Sequence, residues 1–527
     1  MKKTMKQYSF ASQLKSLAVV FGIALTFASC AKEEVAQNPT NKEGDNDKNL
    51  TTFVAGNEAK TRTSLDYNSS DFSWEAGDYI YVKDDDGVLR KSTNAPTSKV
   101  ASFKYKVPGK FGASASYKVY YLGKNSNGSQ VTISANQTQT APDNTEHFGT
   151  AGDYGTATAT KVSGKQQFKF ELEHQPAYLV FQPYTSNTIL QNCYLTKVEV
   201  SSDNDIAETY TVNTSTGALT GSAGSKQIVL TTRGSSTNPN GFPLTNSAAS
   251  VTTNGAYMII KPGTHILRVR YWVKDVATNV EGTITKTLPA TAYASNTYYD
   301  MTAQLDVKNY DGDHYYMWDA QEQCWKGHEW NLGGSQPTLI TQPASSDYPQ
   351  SSSDPNNRWY NESYPGNGIS NPATHTPCKD LPNVNEMTWY AKFGDPRWDA
   401  DELWTTMGHL YKGGMWFKKK SVLLAEGNYK TEKSVDGTDW RTNEGGSSWS
   451  VSQTLPSAAD AGNYFYLPTL GCYDSGLLDF VGGRGYYWSS SANPRHAYQA
   501  YMLSFSRGNV QVYRNARWVG YWVGGFE

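Results

Sequence analysis

Between residues 51 and 306 no apolar period of 3.6 residues persists for three turns, so a core of amphipathic helices is closed to that stretch. What recurs is alternation over short stretches, which places apolar residues on one face of a strand. Residues 72–82 (FSWEAGDYIYV) read as a Trp-bearing strand, a Gly77-Asp78 turn and a second strand, ending at a solvated Asp84-Asp85-Asp86-Gly87 turn. Further strands are expected at 116–121, 166–172, 177–182, 195–200, 255–261 and 265–273. Ser, Thr, Asn and Gly turns separate them at the spacing of β-sandwiches. A change of texture at 183–190 (PYTSNTIL) divides the region into two consecutive β-sandwich domains, 51–182 and 183–306.

The 527 residues suit roughly three domains at ~100–200 residues each. The last, 307–527, differs in kind. It holds 13 of the 15 Trp, together with His314, His328, His375, His409 and His496. Its segment 336–380, rich in Pro, Ser and Asn, reads as long loops pinned by aromatic residues. Most of these Trp belong in the core, because a fold with little regular structure relies on aromatic packing. Charged residues make up 18% of the chain, against about 25% in ordinary globular domains. With a net charge of −2 there is no basic field to hold a phosphate backbone, so no nucleic-acid partner is expected.

The chain opens with an address. Lys2, Lys3, Lys6 and Lys15 precede an apolar run of 11 residues, 17–27, which is too short for a bilayer-spanning helix of about 20. The run ends in Phe27-Ala28-Ser29-Cys30, which resembles the lipobox of bacterial lipoproteins although Phe27 stands where Leu is usual. The resemblance implies that residues 1–29 are a signal peptide and that Cys30 carries an acyl lipid, the only membrane anchor. Loss of 1–29 leaves 43 basic and 49 acidic residues, a net charge of −6. Ala31-Lys32-Glu33-Glu34 is similar to the signal that sends some lipoproteins to the outer face of the outer membrane. Residues 30–50 read as a flexible tether. Of the remaining cysteines, Cys193, Cys324, Cys378 and Cys472, three lie in 307–527, so at most one disulfide forms within it. The compartment permits one, and the sequence does not choose the pair. No CxxC or paired Cys/His spacing points to structural zinc.

Lys60-Thr61-Arg62-Thr63, followed by Phe72-Ser73-Trp74-Glu75-Ala76-Gly77-Asp78-Tyr79-Ile80, resembles the opening of fimbrillin-family proteins. His174-Gln175-Pro176-Ala177-Tyr178-Leu179-Val180-Phe181 is similar to the strand closing that family's first domain, and Tyr298-Tyr299-Asp300-Met301 to the end of its second. The resemblance implies two transthyretin-like β-sandwiches in a pilus subunit. It also implies strand addition: an Arg-specific protease removes the first strand, and a neighbour's strand fills the groove. Here the strand that would leave is 50–59, and the candidate scissile residue is Arg62. The alternative is that Arg62 merely begins a surface strand, as in an uncleaved anchor subunit.

The end of the chain carries Phe465-Tyr466-Leu467-Pro468-Thr469-Leu470-Gly471 and Gly485-Tyr486-Tyr487-Trp488-Ser489-Ser490-Ser491. With the segments 497–505 and 510–515, these resemble the major paralogous domain of fimbrial and surface lipoproteins, which implies a C-type-lectin-like α+β fold for 307–527. The family's closing Arg-Cys pair is missing, which puts its usual disulfide in doubt. The triplets of calcium-dependent sugar sites are also missing, so calcium-dependent monosaccharide binding has no support. One acidic stretch, 395–402, offers carboxylates beside an indole: Asp395, Trp398, Asp399 and Asp401 are candidate ligand-binding residues. Oxygen ligands suit calcium and a Trp face suits a sugar ring or a protein anchor, whereas the plainer reading is a loop or a helix N-terminus. Asp311-Gly312-Asp313 is a second such loop, at the join.

Cys324 and His328 lie four apart, which is weak evidence for a nucleophile pair. There is no HExxH, GxSxG or P-loop, so no enzymatic activity is expected. The whole reads as a mainly β surface lipoprotein without cofactors beyond its lipid. The implied role is a fimbrial tip adhesin that accepts a donor strand from another subunit, with a host or bacterial glycan or protein as ligand. The alternative is an uncleaved, lipid-anchored surface protein or fimbrial anchor.

Overall fold

The computed structural model describes residues 5–9, 49–56, 64–67, 71–124, 126–213, 216, 218–338 and 342–527. Cys30, the tether before residue 49 and Arg62 lie outside the described residues. The fold is mainly β. It divides into two compact units, Met1–Trp272 with Leu288–Leu305, and Val273–Thr287 with Asp306–Glu527.

The first unit begins with a sheet built around strand β1 (Leu50–Ala55), β2 (Tyr81–Lys83), β3 (Phe103–Pro108), β4 (Ser116–Tyr121), β5 (Gly155–Lys161) and β6 (Gln167–Phe170). Its order is Leu89–Lys91, β2, β4, β5, β6, β1, β3, so β1, the first of these strands in chain order, is interior to the sheet. β1 runs parallel to β6 and antiparallel to β3, with Phe53 opposite both Phe168 and Tyr105. Alternation decides which residues point inward: Phe53 and Ala55 are fully buried, while Thr52 and Val54 are only half-buried. The Phe53 ring stacks on Phe168 at 5.1 Å and meets Phe111 edge-on at 5.1 Å. Trp74, also fully buried, meets Tyr105 and Tyr121 edge-on.

The expected turn at 84–87 forms with Asp85 and Asp86 exposed, but Asp84 is not solvated. Asp84 is buried because its carboxylate accepts from the backbone of Asp86 and Val88 and from Arg90 Nε at 2.7 Å. Asp85 accepts from the Tyr117 hydroxyl at 2.6 Å.

The remainder of this unit holds β7 (Ala177–Tyr184), β8 (Cys193–Ser202), β9 (Ala256–Ile260), β10 (Gly263–Asp275), β11 (Glu281–Tyr293) and β12 (Thr297–Gln304). β7 is buried along nearly its whole length, flanked by antiparallel β9 and parallel β12. The boundary expected at 182/183 therefore moves: 177–182, read as closing the first sandwich, is the central strand of the next sheet. Residues 130–138 also cross over. Gln130–Thr132 pairs with Ala207–Val212, and Asn136–Thr138 pairs with Gln227–Thr231.

Two glutamines close an edge of this second part. The Gln137 amide exchanges hydrogen bonds with Ile259 N and O at 3.0 and 2.8 Å, and Gln139 does the same for Tyr257 N and Gly255 O at 2.7 and 2.8 Å. Both side chains are buried and act as a substitute strand along β9. The outer edge of β12 is covered by Met5–Ser9, which pairs with it antiparallel from Met5 opposite Met301 to Ser9 opposite Thr297.

The second unit starts at Asp306, one residue before the expected join, and includes the hairpin tip Val273–Thr287. Helix α1 (Val384–Phe393) has a capping box: Asn383 accepts from Glu386 N, and Glu386 Oε2 accepts from Asn383 N at 2.8 Å. Strands β13 (Arg397–Thr406) and β14 (His409–Lys418) form a hairpin, with Met407 and Gly408 both at positive φ as a two-residue turn requires. β15 (Tyr464–Pro468) extends it. A second sheet orders Tyr315–Tyr316, β19 (Tyr521–Trp522), β16 (Gly485–Ala492), β17 (Gln499–Phe505), β18 (Asn509–Ala516) and Ser447–Ser450. The core is aromatic as expected: eight of this unit's 13 Trp are buried, and Trp518 alone is more than a third exposed, at 41%.

Phe53→Ala is expected to destabilise the first unit by about 3–5 kcal/mol, read by urea denaturation. Thr52→Ala on the half-buried face should stay within about 0.5 kcal/mol.

Candidate functional site

The residues flanking Arg62 are held at two places. Upstream, Gly56 N donates to Phe170 O at 3.1 Å, continuing the β1 ladder. Downstream, the Tyr67 hydroxyl donates to Asp300 Oδ1 on β12 at 2.9 Å, and its ring lies 5.8 Å from Tyr298. Gln182 donates to the same carboxylate oxygen at 2.8 Å. Burial, reinforced by the Asp300 charge, pushes the Tyr67 phenol well above its usual range, so it stays a donor.

The acidic candidates are spread over a strand and committed to internal bonds. Asp395 forms a fork with Arg397 Nε and Nη2 at 2.9 and 2.7 Å and accepts from the Tyr464 hydroxyl at 2.6 Å. Burial alone would raise its carboxyl, but these bonds hold it below the ordinary carboxylate range. Trp398 is a core residue. Asp399 is buried, accepting from Asp401 N, Glu402 N and Trp416 Nε1. Asp401 faces Lys412 Nζ at 3.4 Å.

The loop expected at 395–402 is thus largely the start of β13, where a bulge between Asp399 and Leu403 turns the carboxylates onto their own backbone. Glu402 accepts from the Thr283 and Thr285 hydroxyls and Thr285 N in the hairpin tip. At 311–313, Asp311 accepts from Asn309, and Asp313 pairs with His314. Among the described residues no group of three or more His, Cys, Asp or Glu is arranged to hold a metal ion.

All four described cysteines are free and buried. Burial pushes the Cys324 and Cys472 thiols up to about 12 and the Cys378 thiol higher still. The Cys324 thiol is therefore protonated at neutral pH, and His328 Nδ1 lies 3.6 Å from Asp347.

A surface the sequence did not single out is the aromatic ladder Trp359, Tyr360, Trp518, Tyr498. Successive ring centroids are 4.7, 6.3 and 6.2 Å apart, and the Tyr498 and Trp518 planes lie 29° apart. These two rings are 49% and 41% exposed. The rings come from three loops, and Arg517 ties the loops together. It is completely buried, its guanidinium carbon 4.5 Å from the Trp318 ring centroid. Arg517 N donates to Tyr498 O at 2.9 Å and its Nε to Gln499 O at 3.1 Å. Its Nη1 donates to Asn361 O and Ser363 O at 2.7 and 3.0 Å. Burial pulls its pKa down to about 10, which leaves it charged at neutral pH. The available signal was one arginine beside a Trp in the turn 516–520, which has no periodicity to mark it.

No family model matches the chain, and no curated protein does. Among solved structures it is similar to a candidate cell adhesion protein from Bacteroides ovatus, at 15% identity and a TM-score of 0.29, over 49% of this chain and 93% of that one. A fimbrial protein from the same species is 12% identical with a TM-score of 0.22, over 90% and 98%. The fimbrial anchor protein of Porphyromonas gingivalis is 14% identical with a TM-score of 0.22, over 45% and 82%. TM-scores this low decide neither fold nor function.

Two outcomes are expected. The folded chain should show no thiol reactive toward iodoacetamide at pH 8 among Cys193, Cys324, Cys378 and Cys472, all four reacting once it is unfolded in urea. Arg517→Gln should cost the second unit about 3 kcal/mol by leaving buried carbonyls without donors, with Trp518 more open to acrylamide quenching.

Proposed function

We propose that the chain is a cell-surface fimbrial subunit, delivered as a lipoprotein acylated at Cys30 and matured by cleavage after Arg62, that accepts a donor strand and presents its last domain as an adhesin. The observation that carries this reading is β1. It is the first described strand after the tether, it lies inside its sheet, and ladder bonds hold it on both sides. The segment with Arg62 joins its end, fixed by Gly56, to the point where Tyr67 is anchored on β12. A cut there severs β1 from the rest of the chain and leaves only non-covalent contacts to hold it. Once it departs, β3 and β6 have unpaired edges and Phe168 and Tyr105 lose the ring between them, which is the geometry a replacement strand fills.

Loss of 1–29 bears on a second edge. It takes away Met5–Ser9 and uncovers β12, the neighbour of β7, whose other side is already closed by β9 and the two glutamines. Strand β19 is itself not open to donation: Tyr521, Trp522 and Val523 are buried, and the strand pairs with Tyr315–Tyr316 and β16. We assign the two sheet systems of the first unit to transthyretin-like sandwiches and residues 307–527 to a C-type-lectin-like domain. The partners of this reading are other fimbrial subunits by strand addition, the outer membrane through the lipid, and a glycan or protein ligand.

Mass spectrometry of sheared surface material and of membranes tests it. The expected result is a chain without lipid that begins at Thr63 in sheared filaments, and an Arg62→Ala chain that stays acylated in the membrane. Wild-type chains found only in the membrane, intact from Cys30, would replace this account with a lipid-anchored surface protein or fimbrial anchor.

A further inference from the structure

We propose that the aromatic ladder of the second unit is a calcium-independent subsite for a carboxylated pyranose, stacked on Trp518 and Tyr498 with its carboxylate toward Arg495. The inference rests on the adhesin reading and names the ligand chemistry of that domain.

Solvent-exposed aromatic faces that are held rigid offer apolar contact at little entropic cost. Both conditions are met here, because Arg517 fixes the backbones on either side of Tyr498 and Trp518 from below. The loops that carry the rings are tied together by amide and hydroxyl groups. The Tyr364 hydroxyl bonds Asn367 Oδ1 at 2.7 Å and Pro494 O at 3.1 Å, and Asn371 donates to Ser363 O. Such a rim suits sugar hydroxyls better than the occluded apolar ring of a protein hot spot.

Charge gives the ladder a direction. At the Tyr498 end the His496 ring lies 6.0 Å away, and Arg495 is next to it in the chain with its side chain 63% exposed. The carboxylate facing Arg495 and His496 is Glu444, and it is already engaged. Arg514 Nε binds it at 2.6 Å and Asn493 Nδ2 at 3.0 Å, whereas Arg495 and His496 each stand 3.9 Å from it. Arg495 is left with positive charge that Glu444 does not neutralise. At the Trp359 end the exposed Glu362 accepts from Trp359 Nε1 at 2.8 Å and repels an anion. An acidic sugar therefore binds with its carboxylate at the Tyr498 end, where a guanidinium can pair with it bidentately.

The test is titration calorimetry of the whole mature polypeptide without its lipid, with 3′-sialyllactose and with lactose, in EDTA. Binding of sialyllactose about tenfold tighter than lactose is expected. Trp518→Ala should weaken both about tenfold, and the surface substitution Arg495→Gln, which leaves the packing intact, should abolish the preference while sparing lactose. The proposal is overturned if EDTA abolishes binding, if neither sugar binds, or if Trp518→Ala leaves sialyllactose binding unchanged. Capture of a host protein by a chain indifferent to both sugars overturns it too. None of these results bears on fimbrial assembly, which the composition of sheared filaments scores separately.

Discussion

Extended backbone cannot satisfy its own amides, and every strand in this chain has to find its hydrogen-bond partners elsewhere. With almost no helix to fall back on, the fold is an answer to that demand. β1 meets it by lying between β6 and β3, partners about a hundred and about fifty residues on in the chain. β9 meets it on one side with the amides of Gln137 and Gln139 in place of a strand. β12 meets it with Met5–Ser9, a part of the chain that lipoprotein processing would remove. These solutions differ in permanence. A buried glutamine is covalently part of the unit, whereas β1 and Met5–Ser9 belong to segments that the proposed processing would detach.

The second unit meets the same demand in its loops. The stretch between Tyr316 and α1 has little ladder to join, and buried ions take the place of strands. Arg358 forks onto Asp354 and donates to Cys324 O and Asp347 O. Asp319, fully buried, accepts from Thr374 N, His375 N and Asn361 Nδ2. Arg517 completes the set from the other end of the sequence. Buried charges held by several hydrogen bonds cost much to break and contribute less to net stability than to uniqueness of conformation. Here the conformation they specify is the one that holds four aromatic rings in line at the surface.

The strands were legible because alternation is local: the segments at 116–121, 177–182, 195–200 and 255–261 all lie within observed strands or extend them by a residue. Which sheet each joined was not legible, because pairing is non-local. Ala177–Tyr184 reads equally well as the last strand of one sheet or the first of the next, and only the partners β9 and β12 decide. The acidic stretch 395–402 misled for a related reason. A carboxylate that accepts from its own strand's backbone, as Asp399 does, has the same residue type and spacing as one aimed at a cation. The ladder escaped notice because Trp359, Tyr498 and Trp518 are far apart in sequence and are brought together by Arg517, whose role no local pattern announces.

Cleavage at Arg62 would not by itself empty the groove. Burial of the Phe53 ring alone is worth ~1.5–3 kcal/mol, and each ladder bond on either side of β1 adds ~0.5–1.5 kcal/mol. Six residues paired along β3, four of them also paired along β6, therefore hold a severed strand firmly, with the parallel β6 pairing and the Phe53–Phe168 stack both intact. Spontaneous departure would expose two long edges and an apolar groove, an aggregation-prone state. Exchange needs an incoming strand that begins pairing where β1 is weakest and displaces it residue by residue, so that the groove is never wholly open. The end nearest the cut is that point, because Gly56 is bonded on the β6 side while its covalent tie toward Tyr67 is lost. A strand entering there finds Phe170 O and the β3 edge at Phe103 first, and reaches the Phe53 site only after it has made ladder bonds of its own.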